Sequence, residues 1–165
     1  MSENTQVRAF TSKSNVGIQR RLLTPVAVSN NGKSMSVTAL WDTGATGTCI
    51  SYDVVNTLGL IATGKQDIRT PSGGSTSNTY LVTITLPNNV MIPNVVVFDS
   101  EIGNQGIGML IGMDIITKGD LAVSNHDGCT VFSFRIPSCK VTDYVEQHRI
   151  REIIGTHGKG KKKKR

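Results

Sequence analysis

The sequence is poor in aromatic residues, in cysteine and in long apolar runs, and each shortage removes a class of protein. Phe, Trp and Tyr make up only 5% of its 165 residues. Its three cysteines, Cys49, Cys129 and Cys139, are an odd number with no C-x-x-C spacing. That argues against a disulfide framework and against a zinc site. Of the three histidines, only His148 and His157 lie near one another, and both fall toward the C-terminus, so a metal site is not expected. A basic-then-apolar leader is missing, as is any apolar run of about 18 residues, the length that spans a bilayer. The expectation is a soluble protein of a reducing compartment, cytoplasmic, with no transmembrane segment.

What is present is β-forming. Hydrophobic residues make up 38% of the chain, which suits one domain with a modest core and tails. Val, Ile and Thr recur in short bursts, and Gly occurs 17 times. The charge of +6 is local. The last seven residues, "KGKKKKR", hold six of the 18 basic groups, and without them the body has 12 basic against 12 acidic residues. Residues 156–165 therefore read as a disordered basic tail. It has two readings: weak attraction to nucleic acid or another anionic surface, or a solvated tail. No aromatic residue interleaves the lysines to stack on bases.

Residues 1–19 are polar and are expected to form a flexible arm. "LLTPVAVS" (22–29) and "MSVTALW" (35–41) flank Asn31-Gly32, a hairpin turn signal, and read as an antiparallel pair ending at Asp42. Ser51 caps a short helix, "YDVVNTLG", that Gly59 stops. Residues 65–70 and 79–86 read as strands joined by a long Gly/Ser-rich tip over 71–78. Further strands are expected over 90–98, 108–112, 121–125 and 130–136, with a helical turn over 113–119. Residues 141–154 fit an amphipathic helix loosely, packed on the domain or on a partner.

Two phosphate-site motifs fail on inspection. "NNGKS" lacks the first Gly of a P-loop, since Ala27 stands there, and it lies between strands. The G-x-G begun by Gly106 and Gly108 meets Ile111 at its third position. The surviving constellation is "ALWDTGATGTCIS" (39–51), in which apolar residues lead into Asp42-Thr43-Gly44. A carboxylate at the end of an apolar run is costly unless something there uses it. Gly44 allows close approach, and neighbouring hydroxyls and amides can orient the carboxylate. On the tripeptide alone, a turn with a satisfied Asp is the simpler reading.

The context changes the weighing. Asp-Thr-Gly-Ala after an apolar strand resembles the active-site motif of the retropepsin-like aspartic proteases, of the stand-alone bacterial or retroelement type. "LLTPVAVSNNGKSMSVTALWDTGATGTCIS" is similar to that family's opening hairpin and active-site loop. "TPSGGSTS" lies where the family places its flap. "MLIGMDII" (109–116) resembles its second signature, and "GDLAVSN…TVFSFRI" resembles its closing strands. The resemblance covers residues 20–137. Thr46 stands where many members carry Ser or Asp, and Trp41 is bulkier than the usual aliphatic residue.

The resemblance implies an all-β, closed-barrel acid-protease fold acting as a homodimer, with 138–155 as a C-terminal helical extension. It implies an aspartic endopeptidase in which Asp42 is catalytic and Thr43, Gly44, Ala45 and Thr46 form the active-site loop. Thr70, Pro71, Ser72, Gly73 and Gly74 would belong to a flap over a peptide or protein substrate, with Gly73 and Gly74 as hinges. Gly112 and Asp114 would be structural, and no metal or organic cofactor is implied. The chemistry needs two carboxylates, yet the sequence holds one Asp-Thr-Gly, so a second copy of the chain must supply the other. The alternative from another class is a catalytically idle dimerisation or peptide-binding module with the same fold. A third reading, a small nucleic-acid binder, is opposed by the neutral body.

Overall fold

The computed structural model describes residues 6–70 and 73–159. Pro71, Ser72 and the basic tail from residue 160 onward lie outside the described residues. Among the described residues there are ten strands and three α-helices. β1 is Arg8–Lys13, β2 Leu22–Asn30, β3 Lys33–Trp41, β4 Cys49–Ser51 and α1 Tyr52–Leu58. β5 Gly64–Thr70, β6 Gly73–Thr85, β7 Met91–Ser100 and β8 Met109–Ile111 follow. α2 Met113–Ile116, β9 Asp120–Ser124, β10 Val131–Ile136 and α3 Tyr144–Lys159 complete the order.

β2 and β3 pair in full register from Leu22↔Trp41 to Asn30↔Lys33. Asn31 and Gly32 both have positive φ, at 47° and 78°, which a two-residue turn between right-twisted strands requires. The sheet continues β3-β8-β4-β7-β6, and β6 returns to β2 at Ala27↔Thr85, Val28↔Ile84 and Ser29↔Thr83. Six strands thus close a barrel, and β5 is attached outside it through β6 alone. Inside lie alternate residues of each strand, among them Val26, Val28, Val37, Ala39, Ile84 and Val97, all buried. α1 is capped by the Ser51 hydroxyl, which accepts from Val54 N–H, and it ends on Gly59 in the left-handed region.

Three expectations are corrected. The arm over 1–19 contains β1, which pairs with β10 from Arg8↔Ile136 to Lys13↔Val131 and forms a three-stranded sheet β1-β10-β9. The physical reason is Phe10. Its ring lies 5.9 Å from Trp41, 5.6 Å from Phe132 and 6.2 Å from Phe134, so the small sheet is glued to the barrel by aromatic contact. The long tip over 71–78 is also shorter than expected. β5 and β6 pair from Gly64↔Thr79 to Thr70↔Gly73, leaving only two residues between them. Polar side chains suit a ribbon that is solvated on both faces, and Thr76 Oγ1 donates to Asp67 Oδ1 across it at 2.8 Å. Finally, α3 runs from Tyr144 to Lys159, so residues 156–159, expected in the disordered tail, belong to the helix; Val141 just before it and its own Tyr144, Val145, Ile150 and Ile154 are exposed. Among the residues of α3 whose burial is described, none is covered by the body of the same chain, which leaves the partner half of the expected packing open.

Candidate active site

β3 delivers Asp42. Its last residues run parallel to β8, with Ala39↔Met109 and Trp41↔Ile111, and Asp42 N–H extends that ladder to Ile111 O at 2.9 Å. The approach is buried because Ala39 and Trp41 belong to the core, and the Trp41 indole N–H donates to Thr24 Oγ1 at 2.9 Å. At Asp42 the chain leaves the sheet. The carboxylate is half-buried, and its Oδ1 accepts from Gly44 N–H at 2.8 Å. A Cβ on Gly44 would sit 3.2 Å from that same oxygen, so the turn leaves no room for a side chain without displacing the carboxylate. Thr43 and Thr46 are exposed, and Ala45 is half-buried.

The loop behind the carboxylate is held from below by the segment after β8. Met113 N–H donates to Ala45 O at 2.8 Å and Asp114 N–H to Thr46 O at 3.2 Å. Thr48 is fully buried and bridges the two segments. Its hydroxyl donates to Asp114 Oδ1 at 2.7 Å and accepts from Gly112 N–H at 3.1 Å, while its own N–H donates to Asp114 Oδ2 at 3.2 Å. Gly112 is required by proximity, not by φ: a Cβ there would lie 2.5 Å from Gly47 O and 3.0 Å from Ala45 O. Asp114, Gly112 and the Asp42–Thr46 loop are therefore one hydrogen-bonded unit. Behind it lies the buried Cys49, whose thiol burial pushes up to about 11, with the Asp42 and Asp114 charges adding to the shift.

An open cavity of about 430 Å³ flanks the loop on the side of Thr46, Thr48, Phe98, Asp114 and Lys118. Asp42 is not on its wall. Of the residues expected in a flap, Thr70, Gly73 and Gly74 lie at the far end of the β5/β6 ribbon, where Gly73 pairs with Thr70 and Gly74 with Arg69. Pro71 and Ser72 fall outside the described residues. Sequence reasoning missed Thr48, whose only local signal is a third small polar residue in "DTGATGT". Asp99, near the end of β7, is a further buried carboxylate. Among the described residues, no group of three or more His, Cys, Asp or Glu side chains is placed to hold a metal ion. No helix there is long and apolar enough to cross a membrane.

Comparison with known proteins agrees with this geometry. Residues 25–115 match the sequence profile of the aspartyl protease family. Among solved structures, the chain is similar to a retropepsin-like aspartic protease from Rickettsia conorii, with 14% identity and a TM-score of 0.50. That match covers 79% of this chain and 96% of the other. The protease of EIAV, solved with an inhibitor, also matches, at 21% identity and a TM-score of 0.45, over 62% of this chain and 89% of its own. No curated protein sequence matches. With a family profile that spans both the Asp42 loop and the Gly112–Asp114 brace, and a closed six-stranded barrel of retropepsin-like fold, the chain belongs to the aspartyl protease family.

Proposed function

We propose that the chain is an aspartic endopeptidase whose active site forms only when two copies meet about a two-fold axis, each contributing Asp42. The observation that carries this reading is the Asp42 carboxylate itself. It is half-exposed at the end of a core strand and oriented by a backbone N–H, and no cation pairs with it among the described residues. A braced carboxylate of that kind suits proton transfer with water. Peptide hydrolysis needs two. One, ionised, takes a proton from the attacking water while the other, protonated, polarises the scissile carbonyl. Two carboxylates that close cannot both ionise, so such a pair shares one proton and titrates as a unit.

In this reading residues 20–137 are the protease domain, preceded by the N-terminal segment and followed by the helical extension and basic tail. Thr43, exposed beside the carboxylate, hydrogen-bonds to its counterpart in the second subunit. Gly44 leaves clearance for the substrate backbone, and Ala45 and Thr46 carry the loop. Gly112 and Asp114 hold that loop through Thr48. Thr70, Pro71, Ser72, Gly73 and Gly74 belong to the flap, whose described part is the β5/β6 ribbon. It closes over an extended peptide that pairs as an added strand. No step calls for a metal or cofactor.

The test is cleavage of a peptide library from acid to neutral pH by the wild type and by Asp42→Asn. Cleavage by the wild type only is expected. Equal cleavage by both removes the Asp mechanism, and cleavage by neither leaves the idle binding module with the same fold. Trimming residues 156–165 and measuring salt-dependent retention on DNA separates an anionic-surface role for the tail from mere solubility.

A further inference from the structure

Asp99 is the most deeply buried carboxylate that the proposed chemistry leaves unused. It sits near the end of β7, 4% exposed, and no ion pair among the described residues involves it. A buried carboxylate without a cation needs donors. Asp99 has three, and all come from β6. Asn78 N–H donates to Oδ1 at 3.0 Å, and Asn78 Nδ2 and the Tyr80 hydroxyl donate to Oδ2 at 3.0 and 2.9 Å. Burial, and then Asp99 itself, push the Tyr80 phenol above its ordinary value, so it stays a donor.

The position of this cluster in the sheet gives it a consequence. The β6–β7 ladder ends at Thr79↔Phe98. On its opposite edge β7 pairs with β4, from Cys49↔Phe98 through Ile50↔Asp99 to Ser51↔Ser100. β6 goes on with β5 alone. Burial falls at the same point: Thr79 and Tyr80 are buried, Ser77 and Asn78 half-buried, and Gly73 to Thr76 exposed. Asn78 is thus the first residue of the free ribbon. The ribbon itself is continuously paired, with seven consecutive pairs and the Thr76–Asp67 bond. On the other strand its base is tied by Thr63 N–H to Thr79 O at 2.7 Å.

We propose that Asp99 is the positioning residue of the flap: by gripping Asn78 where β6 leaves the barrel, it sets the pivot and resting angle of the β5/β6 ribbon over the Asp42 loop. The moving unit is then the whole ribbon turning about Thr63 and Asn78, rather than a tip bending at Gly73 and Gly74. Asp99 touches neither substrate nor the reacting atoms. The proposal rests on the reading of that ribbon as a flap.

The experiment is amide hydrogen exchange on the full-length protein without substrate, comparing the wild type with Asn78→Ala and Tyr80→Phe. Asn78→Ala deletes one bond from a half-buried position and leaves the core intact. It is expected to speed exchange across residues 64–70 and 73–77 by roughly tenfold, while β2 and β3 stay unchanged. Tyr80→Phe keeps both Asn78 bonds and is expected to leave the ribbon as protected, relative to the barrel, as in the wild type. Unchanged ribbon exchange in Asn78→Ala, or a parallel rise in ribbon and barrel, overturns the proposal. In the active enzyme, Asn78→Ala is expected to raise KM several-fold with kcat within about twofold, and a fall in kcat at constant KM also overturns it. Exchange needs no peptidase activity, so an inert protein refutes the enzymatic reading and leaves the grip at Asn78 to be judged by exchange alone.

Discussion

Thr48 brings a single hydroxyl to a place where two backbone segments and a carboxylate meet, and its deletion strands partners on both sides. Thr48→Val keeps the volume but leaves Gly112 N–H and Asp114 Oδ1 without it. A cost of about 1–3 kcal/mol is expected, as for a buried group left unsatisfied. A urea-unfolding series checks this, and a loss below about 0.5 kcal/mol would show that the brace is dispensable. Thr48→Ser should retain most of the stability. The cysteines make a second residue-scale prediction. The thiolate is the reactive form, and the Cys49 thiol is buried and pushed up to about 11. At pH 8 a thiol reagent should label the exposed Cys139 promptly and Cys49 only after denaturant is added. Rapid labelling of Cys49 in the native protein would mean that the packing behind the Asp42 loop is open. Short motifs name Asp42, Gly44, Gly112 and Asp114 in the sequence, and the structure brings their segments into one hydrogen-bonded unit. Thr48 was not legible there, because its importance lies in partners far along the chain.

At the scale of elements, the legible parts are those fixed by neighbours in sequence. Asn31-Gly32 specifies its turn, and Ser51 and Gly59 bracket α1 through local caps. β1 was hidden because "RAFTSK" has one apolar anchor, Phe10, whose partners Trp41, Phe132 and Phe134 are all distant in sequence. The length of the β5/β6 ribbon was hidden because a ladder solvated on both faces leaves no hydrophobic alternation to read. The segment after β10 offers a test in acid. Asp120, at the start of β9, accepts from Ser138 Oγ, from Cys139 N–H at 3.1 Å and from Arg135 Nε at 2.6 Å. These contacts, the Ser138 hydroxyl first, hold its carboxyl well below the usual carboxylate range. A depressed folded value stabilises the native state fully above the unfolded value, about 3.9, and that stabilisation is lost as the pH falls below it. Asp120→Asn should therefore flatten the decline in stability below about pH 4 while changing the decline above pH 5 little. Identical acid profiles for the two proteins would show that Asp120 is equally satisfied when unfolded.

For the whole molecule, the central expectation concerns copies of the chain. If each Asp42 is half a site, activity must rise faster than linearly with protein concentration near the dissociation constant. Asp42→Asn subunits must also poison wild-type ones. With random exchange, a fourfold excess of the variant leaves about one fifth of wild-type subunits paired with each other, and activity should fall in proportion. Activity that is unchanged by the variant would show that one chain suffices. The β-rich class could be read from the bursts of Val, Ile and Thr and the marked turns, whereas the closed barrel was implied by the resemblance that the Asp42 and Gly112 motifs carry. How two chains would meet could not, since apolar side chains left exposed on α3 look in sequence like those of any packed helix. The aromatic cluster beneath the loop has a practical consequence as well. Trp41 is the only tryptophan in the chain, it adjoins Asp42, and its ring lies 4.8 Å from Phe134 and 5.3 Å from Phe132. All intrinsic indole fluorescence therefore arises one residue from the candidate reacting group. Emission from the native protein should be blue-shifted, detachment of β1 should move it to the red, and loop movement on inhibitor binding should register as a change in intensity, so the protein carries its own optical gauge without a label.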